Sequence, residues 1–361
     1  MVCGEGPLLD DLRREGFRVH VVENSRRVDP VADARTVARY IALFRRERYD
    51  LIHTHNPKIN GLAALAARIA GVDRVVSTVH GLYSHEGQHP LTRRGCRTLE
   101  RAAARLADLV LCQSAEDVMT ARRAGIVSDT RLRRLGSGVD LARFSPQRFG
   151  SEDRAAVRRR LGLQSGEFAI GFIGRMVREK GIPELVEAVA HRRGWRLVLI
   201  GPDERGMKGD ALTPDRIAAA ANVTWLGLQE DLPPLYAALD VVTLPSHREG
   251  LPRTLLEASA MGRPMVATRI RGCREAIAPG KSGILVPPGS PRELREALQA
   301  LSGSESLRER LGTAARQRAE RLFDERAVFE RLDLAYRELV LPPRPLRETR
   351  LQERVSTPVR Y

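Results

Sequence analysis

The sequence predicts an α/β protein of two domains, each built on a parallel sheet. Three observations carry this. Short apolar runs alternate with helical segments along most of the chain, a pattern that lays helices over the faces of parallel sheets. At 361 residues the chain is long for one core. Residues 144–154, Phe-Ser-Pro-Gln-Arg-Phe-Gly-Ser-Glu-Asp-Arg, interrupt the alternation with Pro, Gly and polar residues, and a fresh α/β series follows.

In the first series the apolar runs predict strands at 17–22, 50–54, 74–79, 108–112 and 131–135. Helices are expected between them, for example at 30–48 and 91–106. In the second series strands are expected at 168–173, 196–200, 223–226, 240–244, 264–267 and 283–286. Helices follow at 291–301, 306–321 and 325–339. The expected organisation is a first domain over 1–148 and a second over 149–324. A helix over 325–341 is expected to pack back on the first domain. The Pro- and charge-rich tail, 342–361, lacks periodicity and reads as disordered.

Composition narrows the class. The chain is 42% hydrophobic and 29% charged, as in globular proteins. No apolar stretch reaches the roughly 18 residues that span a bilayer. Met1-Val2-Cys3-Gly4-Glu5 has no apolar core of a signal peptide. Cys3, Cys96, Cys112 and Cys273 are scattered without metal spacing, which fits a reducing cytoplasmic compartment. The net charge of +15 fits nucleic acid, an anionic membrane surface or a polyanionic substrate, or simply an Arg-rich composition. Aromatics at 4% and the lack of zinc-finger or RNA-binding signatures argue against nucleic acid.

The densest chemistry lies in residues 246–268, SHREGLPRTLLEASAMGRPMVAT. Glu249 and Glu257 stand seven residues apart, the first in a turn after the apolar run 240–244 and the second in the following helix. Pro252 fits that helix's first turn, which places Glu257 about two turns along. The free N–H groups of such a turn form an anion site. Two acids beside an anion site suit a ligand with both hydroxyls and phosphates, such as a nucleotide-sugar. Gly174-Arg175 to Lys180-Gly181 forms a second strand-end loop, where Arg175 can clamp a phosphate with two donors and Lys180 adds a point charge. Gly201, after the strand at 196–200, lets a ligand approach the backbone. The backbone at Trp225 and Leu226 could read a nucleobase edge.

His80, in Thr78-Val79-His80-Gly81, ends a first-domain strand and can reach an interdomain cleft. In His53-Thr54-His55, His55 could face that cleft while His53 reads as packing or surface. His80, His85 and His89 lack accompanying carboxylates or cysteines, so no metal site is expected. Pro279-Gly280-Lys281-Ser282 is not a P-loop, because Glu275 stands where a glycine is required. Arg94, Arg97, Arg101 and Arg105 recur at helical spacing as one basic stripe, either solvated or resting on anionic headgroups.

Taken together these motifs resemble the retaining glycosyltransferases of family 4, which have the GT-B fold. The residues that carry the resemblance are Gly174-Arg175-x4-Lys180-Gly181, Leu244-Pro245-Ser246-x2-Glu249-Gly250-x6-Glu257-Ala258, Met261-Gly262-Arg263-Pro264, Gly272-x2-Glu275 and Gly283-x2-Val286-Pro287-Pro288. Thr78-Val79-His80-Gly81 and Gly136-Ser137-Gly138-Val139-Asp140 add to it in the first half. The resemblance implies two Rossmann-like domains facing across a cleft, with the nucleotide-sugar on the second and the acceptor on the first. It implies that Arg175 and Lys180 hold the diphosphate as it leaves. Glu249 would contact donor-sugar hydroxyls, helped by backbone N–H groups near Gly250 and Leu251. Glu257 would bind the ribose, Arg253 and Thr254 would offer amides to the phosphates, and His80 would approach the sugar or acceptor.

The implied activity is metal-independent transfer of a hexosyl or N-acetylhexosaminyl group to a glycan or lipid-linked acceptor, in cell-surface polysaccharide or glycolipid synthesis. No cofactor is expected; a UDP- or GDP-linked sugar is co-substrate. A peripheral contact with an anionic membrane at its cytoplasmic face is among the expected partners. The chain departs from the family pattern at its start, where the first strand, glycine loop and first helix are expected to be missing, and at Thr268-Arg269, where an acid often follows the Thr. A nucleotide-sugar epimerase and a non-catalytic nucleotide-sugar-binding protein stay open as alternatives.

Overall fold

The computed structural model describes residues 1–340 apart from 7–8, 25–28, 86, 207–208, 214–216 and 218–221. The expected tail at 342–361 lies outside the described residues. The first series comprises β1 (Val2–Cys3), α1 (Leu9–Arg14), β2 (His20–Val21), α2 (Pro30–Glu47), β3 (Leu51–His55), α3 (Pro57–Ala70), β4 (Arg74–Val79), α4 (Pro90–Arg105), β5 (Leu109–Cys112), α5 (Ala115–Arg123) and β6 (Leu132–Arg134). The second comprises α6 (Ser151–Arg160), β7 (Phe168–Ile173), α7 (Ile182–Val189), β8 (Trp195–Ile200), β9 (Val223–Trp225), α8 (Pro233–Ala238), β10 (Val241–Leu244), α9 (Arg253–Ala260), β11 (Met265–Thr268), α10 (Cys273–Ala276), β12 (Ile284–Val286), α11 (Pro291–Ser302), α12 (Glu305–Leu322) and α13 (Glu325–Val340).

Strands β3-β4-β5-β6 form one parallel sheet and β12-β11-β10-β7-β8-β9 another. Strands covered on both faces read as unbroken apolar runs, and every residue of β7, β10 and β11 is buried. The two sheets carry separate hydrophobic cores. β1 and β2 pair in a small parallel sheet of their own.

Three local expectations are corrected. The strand expected over 17–22 is only His20–Val21, paired in parallel with Val2–Cys3 of β1. The expected linker 144–154 is a short 3-10 turn at Pro146–Arg148 followed by helix from Ser151, with the Asp153 carboxylate accepting from the Gly150 N–H at its start. Of the supposed arginine stripe on α4, only Arg94 and Arg105 are exposed. Arg101 donates to the carbonyls of Ala124 and Gly125, and Arg97 turns into a cavity.

The chain crosses back at the end. Val139 and Asp324 form a parallel bridge, and α13 then lies against the first sheet. Arg331 donates to the Leu135 carbonyl at 2.6 Å, and Arg74 donates to that of Leu339. The domains therefore pack face to face with strand ends β3–β5 and β7, β10 converging on one seam. Among the described residues no helix is long and apolar enough to cross a membrane.

Candidate active site

The loop after β7 is anchored before it reaches its charged residues. Met176 and Val177 are buried, Val177 bridges Ala211, and the Glu179 N–H donates to Asp210 at 3.1 Å. A 3-10 turn at Arg178–Lys180 ends at Gly181 with φ 70°, and any Cβ there would collide with the Pro245 carbonyl. Glycine thus lets the β7 and β10 loops meet at the backbone. The meeting brings Lys180 Nζ to 2.6 Å from Glu249 Oε1, with both side chains largely buried. Ser246 Oγ donates to the same oxygen at 2.7 Å. Arg175 stays half-exposed, 4.0 Å from Glu179, so its fork is available to a ligand.

Helix α9 begins one residue later than the sequence suggested. Pro252 is its N-cap, and Glu257 is the fifth helical residue, about one turn in rather than two. The Thr254 hydroxyl donates to the Ile173 carbonyl at 3.0 Å and fixes the helix start beside Gly174. The N–H groups of Gly250, Leu251, Arg253 and Thr254 donate to no other described residue, so four donors gather at this helix mouth. Glu257 is buried beneath them. The hydroxyl of the fully buried Tyr236, on α8, donates to Glu257 Oε2 at 2.9 Å, and Arg253 lies 3.6 Å away. Burial pushes the Glu257 carboxyl up, while Tyr236 and Arg253 pull it down. Gly201 lies against the Gly174 carbonyl, and Trp225 Nε1 donates to the Gly201 carbonyl at 3.1 Å. These strand ends are packed on each other, with Leu226 following at the rim.

The first domain enters through His80-Gly81. A Cβ on Gly250 would overlap the His80 carbonyl, and one on Gly81 would press on Gly250. Two glycines are therefore needed for the domains to close this far. His80 Nε2 lies 3.0 Å from His55 Nδ1, and the His55 ring centroid is 4.3 Å from that of His53. His53 bridges Thr78 Oγ1 at 2.7 Å and the Tyr336 hydroxyl of α13 at 2.6 Å. Burial lowers all three imidazoles, His53 to about 3, with the neighbouring rings adding to the effect on His53 and His55. His53, read from sequence as packing or surface, is a bridge between Thr78 of the first sheet and Tyr336 of the returning helix.

Sequence reasoning missed Tyr236, Arg271 and Asp117, and named Ser246 only as part of a motif. Arg271 crosses the seam to the buried Asp117 at 3.1 Å and to the carbonyls of Leu82 and Ser84. Glu275, noted only as part of a motif, accepts from the Ala115 N–H at 2.7 Å and from Arg134 at 2.8 Å. No spacing rule signals partners about 150 residues apart. Two cavities open on the seam: one of about 1000 Å³ reaching from Asn24, Arg35 and Asn56 to Arg175, and one of about 450 Å³ beside Glu249.

Two parallel-sheet domains meeting on a strand-end seam, with a cationic loop and a helix mouth on the second, define a glycosyltransferase of the GT-B type. The solved structures agree on the fold. Anabaena HepE in complex with UDP-glucose matches with a TM-score of 0.78 at 23% identity, over 93% of this chain and 90% of that one. Sucrose-phosphate synthase from Thermosynechococcus elongatus matches with 0.73 at 24% identity, over 89% and 83%. Residues 1–143 match the model for Glycosyltransferase Family 4, and residues 167–304 match that for Glycosyl transferases group 1. A D-inositol 3-phosphate glycosyltransferase of Corynebacterium urealyticum is 31% identical over 82% of this chain and 73% of its own length. An Escherichia coli UDP-Gal:alpha-D-GlcNAc-diphosphoundecaprenol alpha-1,3-galactosyltransferase is 28% identical over 75% and 71%. The chain belongs to the family 4 glycosyltransferases.

Proposed function

We propose that this enzyme moves a hexosyl or N-acetylhexosaminyl group from a UDP- or GDP-linked donor, with retention, to a glycan or lipid-linked acceptor of the cell surface. The observation that carries the reading is the pairing of Lys180, on the β7 loop that also carries the half-exposed Arg175, with Glu249 just before the mouth of α9, where the N–H groups of Arg253 and Thr254 donate to no other described residue. In this reading the diphosphate lies between the β7 loop and the helix mouth. Glu257 accepts from the ribose hydroxyls, and Glu249 from hydroxyls of the donor sugar. The base lies toward the backbone of Trp225 and Leu226.

The acceptor oxygen attacks the anomeric carbon from the face that the phosphate leaves. The carbon–oxygen bond to phosphate breaks, its electron pair goes to the phosphate oxygen, and that oxygen takes the acceptor's proton. Charge grows on the diphosphate as the bond breaks, so cations fixed there stabilise the transition state more than the ground state. Arg175 and Lys180 supply that charge, and no metal is invoked. His80, neutral because burial lowers it, donates or accepts at the sugar or acceptor without adding positive charge.

Membrane contact belongs to the same proposal. Leu91 and Leu99 of α4 are exposed beside Arg94 and Arg105, and Leu65 and Ile69 are exposed on α3, which packs against α4. An apolar face edged by arginines suits an anionic bilayer surface. Co-sedimentation with phosphatidylglycerol vesicles, and its loss in Leu91→Ser/Leu99→Ser, tests it.

The test of function is incubation with UDP- and GDP-linked sugars and a bacterial lipid extract, followed by NMR of the product's anomeric centre. An α-linked product from an α-linked donor is expected. A β-linked product refutes retention, an epimerised donor without transfer identifies an epimerase, and tight binding without any product identifies a binding protein.

A further inference from the structure

We propose that His55, the partner of His80, is the imidazole that meets the donor sugar: its Nε2 accepts a hydrogen bond from a sugar hydroxyl at the seam. The inference rests on the glycosyltransferase reading and adds a residue to its donor-sugar contacts.

Three histidines form one chain of contacts in the first domain. His53 is fully used: Nδ1 meets the Tyr336 hydroxyl at 2.6 Å and Nε2 meets Thr78 Oγ1 at 2.7 Å. His80 turns its Nε2 to His55 Nδ1 at 3.0 Å, and the Gln113 side chain bonds the same His80 ring. With Nε2 taken, the nitrogen left for Gln113 is Nδ1. His55 Nε2 has no partner among the described residues, and His55 is exposed at the end of β3.

A neutral imidazole carries one proton, so one of its nitrogens donates and the other accepts. Burial keeps all three rings neutral near pH 7. The Gln113 bond works against burial and favours the protonated ring, as a side-chain carbonyl accepting from His80 does. His80 therefore holds its proton on Nδ1, and its Nε2 is a lone pair. Only a proton on His55 Nδ1 can then make the 3.0 Å contact a hydrogen bond. That leaves His55 Nε2 as a bare lone pair, open to a ligand hydroxyl.

The place suits a sugar. A Cβ on Gly250 would overlap the His80 carbonyl, so the chain just past β4 touches the turn that carries Glu249. Asn56, the residue after His55, lines the cavity of about 1000 Å³ that reaches Arg175. The His55–His80 pair thus borders the space between the proposed diphosphate and sugar-hydroxyl contacts. Its support is stiff: the His53 ring lies 4.3 Å from that of His55, and His53 is tied to β4 and to α13. A nitrogen held by strands and fixed neighbours keeps the aim that a directional hydrogen bond needs. A neutral acceptor there also adds no positive charge beside the anomeric carbon as its bond to phosphate breaks.

Asparagine and glutamine separate the two nitrogens of His55. The Asn amide stands near the place of Nδ1 and can still donate to His80. The Gln amide reaches the place of Nε2 and can still accept from the sugar. The experiment is calorimetric titration of UDP-glucose, UDP-galactose, UDP-N-acetylglucosamine and GDP-mannose, beside UDP and GDP, into the full chain and into His55→Asn and His55→Gln. In wild type one nucleotide-sugar is expected to bind tighter than its bare nucleotide. His55→Asn is expected to weaken that nucleotide-sugar about fivefold, the range of one neutral hydrogen bond, while the bare nucleotide stays within about twofold. His55→Gln is expected to stay within about twofold of wild type for both. Proton–nitrogen correlation spectra of the wild-type imidazoles form a second arm that needs no variant. His80 is assigned by its contact to Gln113 and His55 by its contact to His80, and His55 is expected to carry its proton on Nδ1.

A loss in His55→Asn that is equal to or smaller than that in His55→Gln overturns the proposal, because that order marks a residue that only holds His80. A proton on His55 Nε2 overturns it as well, as does a wild type that binds no nucleotide-sugar tighter than its bare nucleotide. If both variants fail to fold, the wild-type spectra decide. No binding of any nucleotide removes the donor reading and this inference with it. Nucleotide-sugar bound tightly and equally by wild type and His55→Asn removes this inference alone.

Discussion

Tyr236→Phe separates the proposed role of Glu257 from the packing around it. Tyr236 is fully buried, its ring lies edge-on to Phe144 at 6.0 Å, and its hydroxyl donates to Glu257 Oε2 at 2.9 Å. The substitution removes the hydroxyl and keeps the ring. A hydrogen bond to a charged group contributes about 1.5–3 kcal/mol. The other partner, Arg253 at 3.6 Å, is mostly exposed and worth no more than about 1 kcal/mol. A loss of about 2 kcal/mol is therefore expected, or a fall of about 4–8 °C in Tm for a domain of this size. Glu257 also loses the bond that orients it, so the donor nucleotide Kd should rise about tenfold, equivalent to about 1.4 kcal/mol. Its kcat should change little, because a ribose contact is made equally in ground and transition states.

The pH dependence supplies an internal check. Burial raises Glu257 above 4.5, so the folded form holds its proton at pH values where the unfolded form has released it. Its contribution is present at low pH and is lost as pH rises through the folded value. Removing the Tyr236 donor pushes that value further up, so the deficit of the variant should be smaller at pH 5 than at pH 8. The assays are calorimetric titration with the nucleotide and thermal melting at both pH values. An unchanged nucleotide Kd in a variant whose Tm has fallen would refute the ribose assignment.

Three other outcomes are expected. Gly250→Ala should cut kcat/KM at least a hundredfold while nucleotide Kd changes only a few-fold, because the new Cβ meets the His80 carbonyl and holds the seam open; steady-state kinetics beside calorimetry reads this. Arg271→Ala should cost about 3–5 kcal/mol in urea unfolding, since it strands the buried Asp117 without its cation. The His53, His55 and His80 cluster should make the fold acid-sensitive. Their folded values lie below 6.5, so the unfolded state binds more protons in that window; the contribution is whole above pH 6.5 and declines toward about pH 3. His53→Gln should flatten that slope in melts across pH, and an unchanged slope would count against it.

Much of the fold was legible because the central strands are covered on both faces. Phe168–Ile173 and Arg74–Val79 were bounded correctly from their apolar runs alone. His20–Val21 was overread because strand length there is set by the partner, which a single run does not reveal. The acids of Ser151-Glu152-Asp153 signalled a helix start, but the adjacent Pro and Gly masked it. At the site, Glu249, Lys180 and Arg175 could be named because each sits at a strand end with glycine or proline beside it. The Lys180–Glu249 pair itself, the Tyr236 donor and the Arg271–Asp117 brace depend on how separate elements dock. That information lies in the packed structure and not in any local spacing.

The central claim is that the second domain holds a nucleoside diphosphate between the β7 loop and the mouth of α9. Calorimetric titration of UDP and GDP into the wild-type chain and into Lys180→Ala, in buffer with chelator, tests it most directly. The account expects one of the two nucleotides to bind at a single site and Lys180→Ala to weaken it at least tenfold. Equal affinity in the variant, or no binding of either nucleotide to the folded wild type, would contradict it.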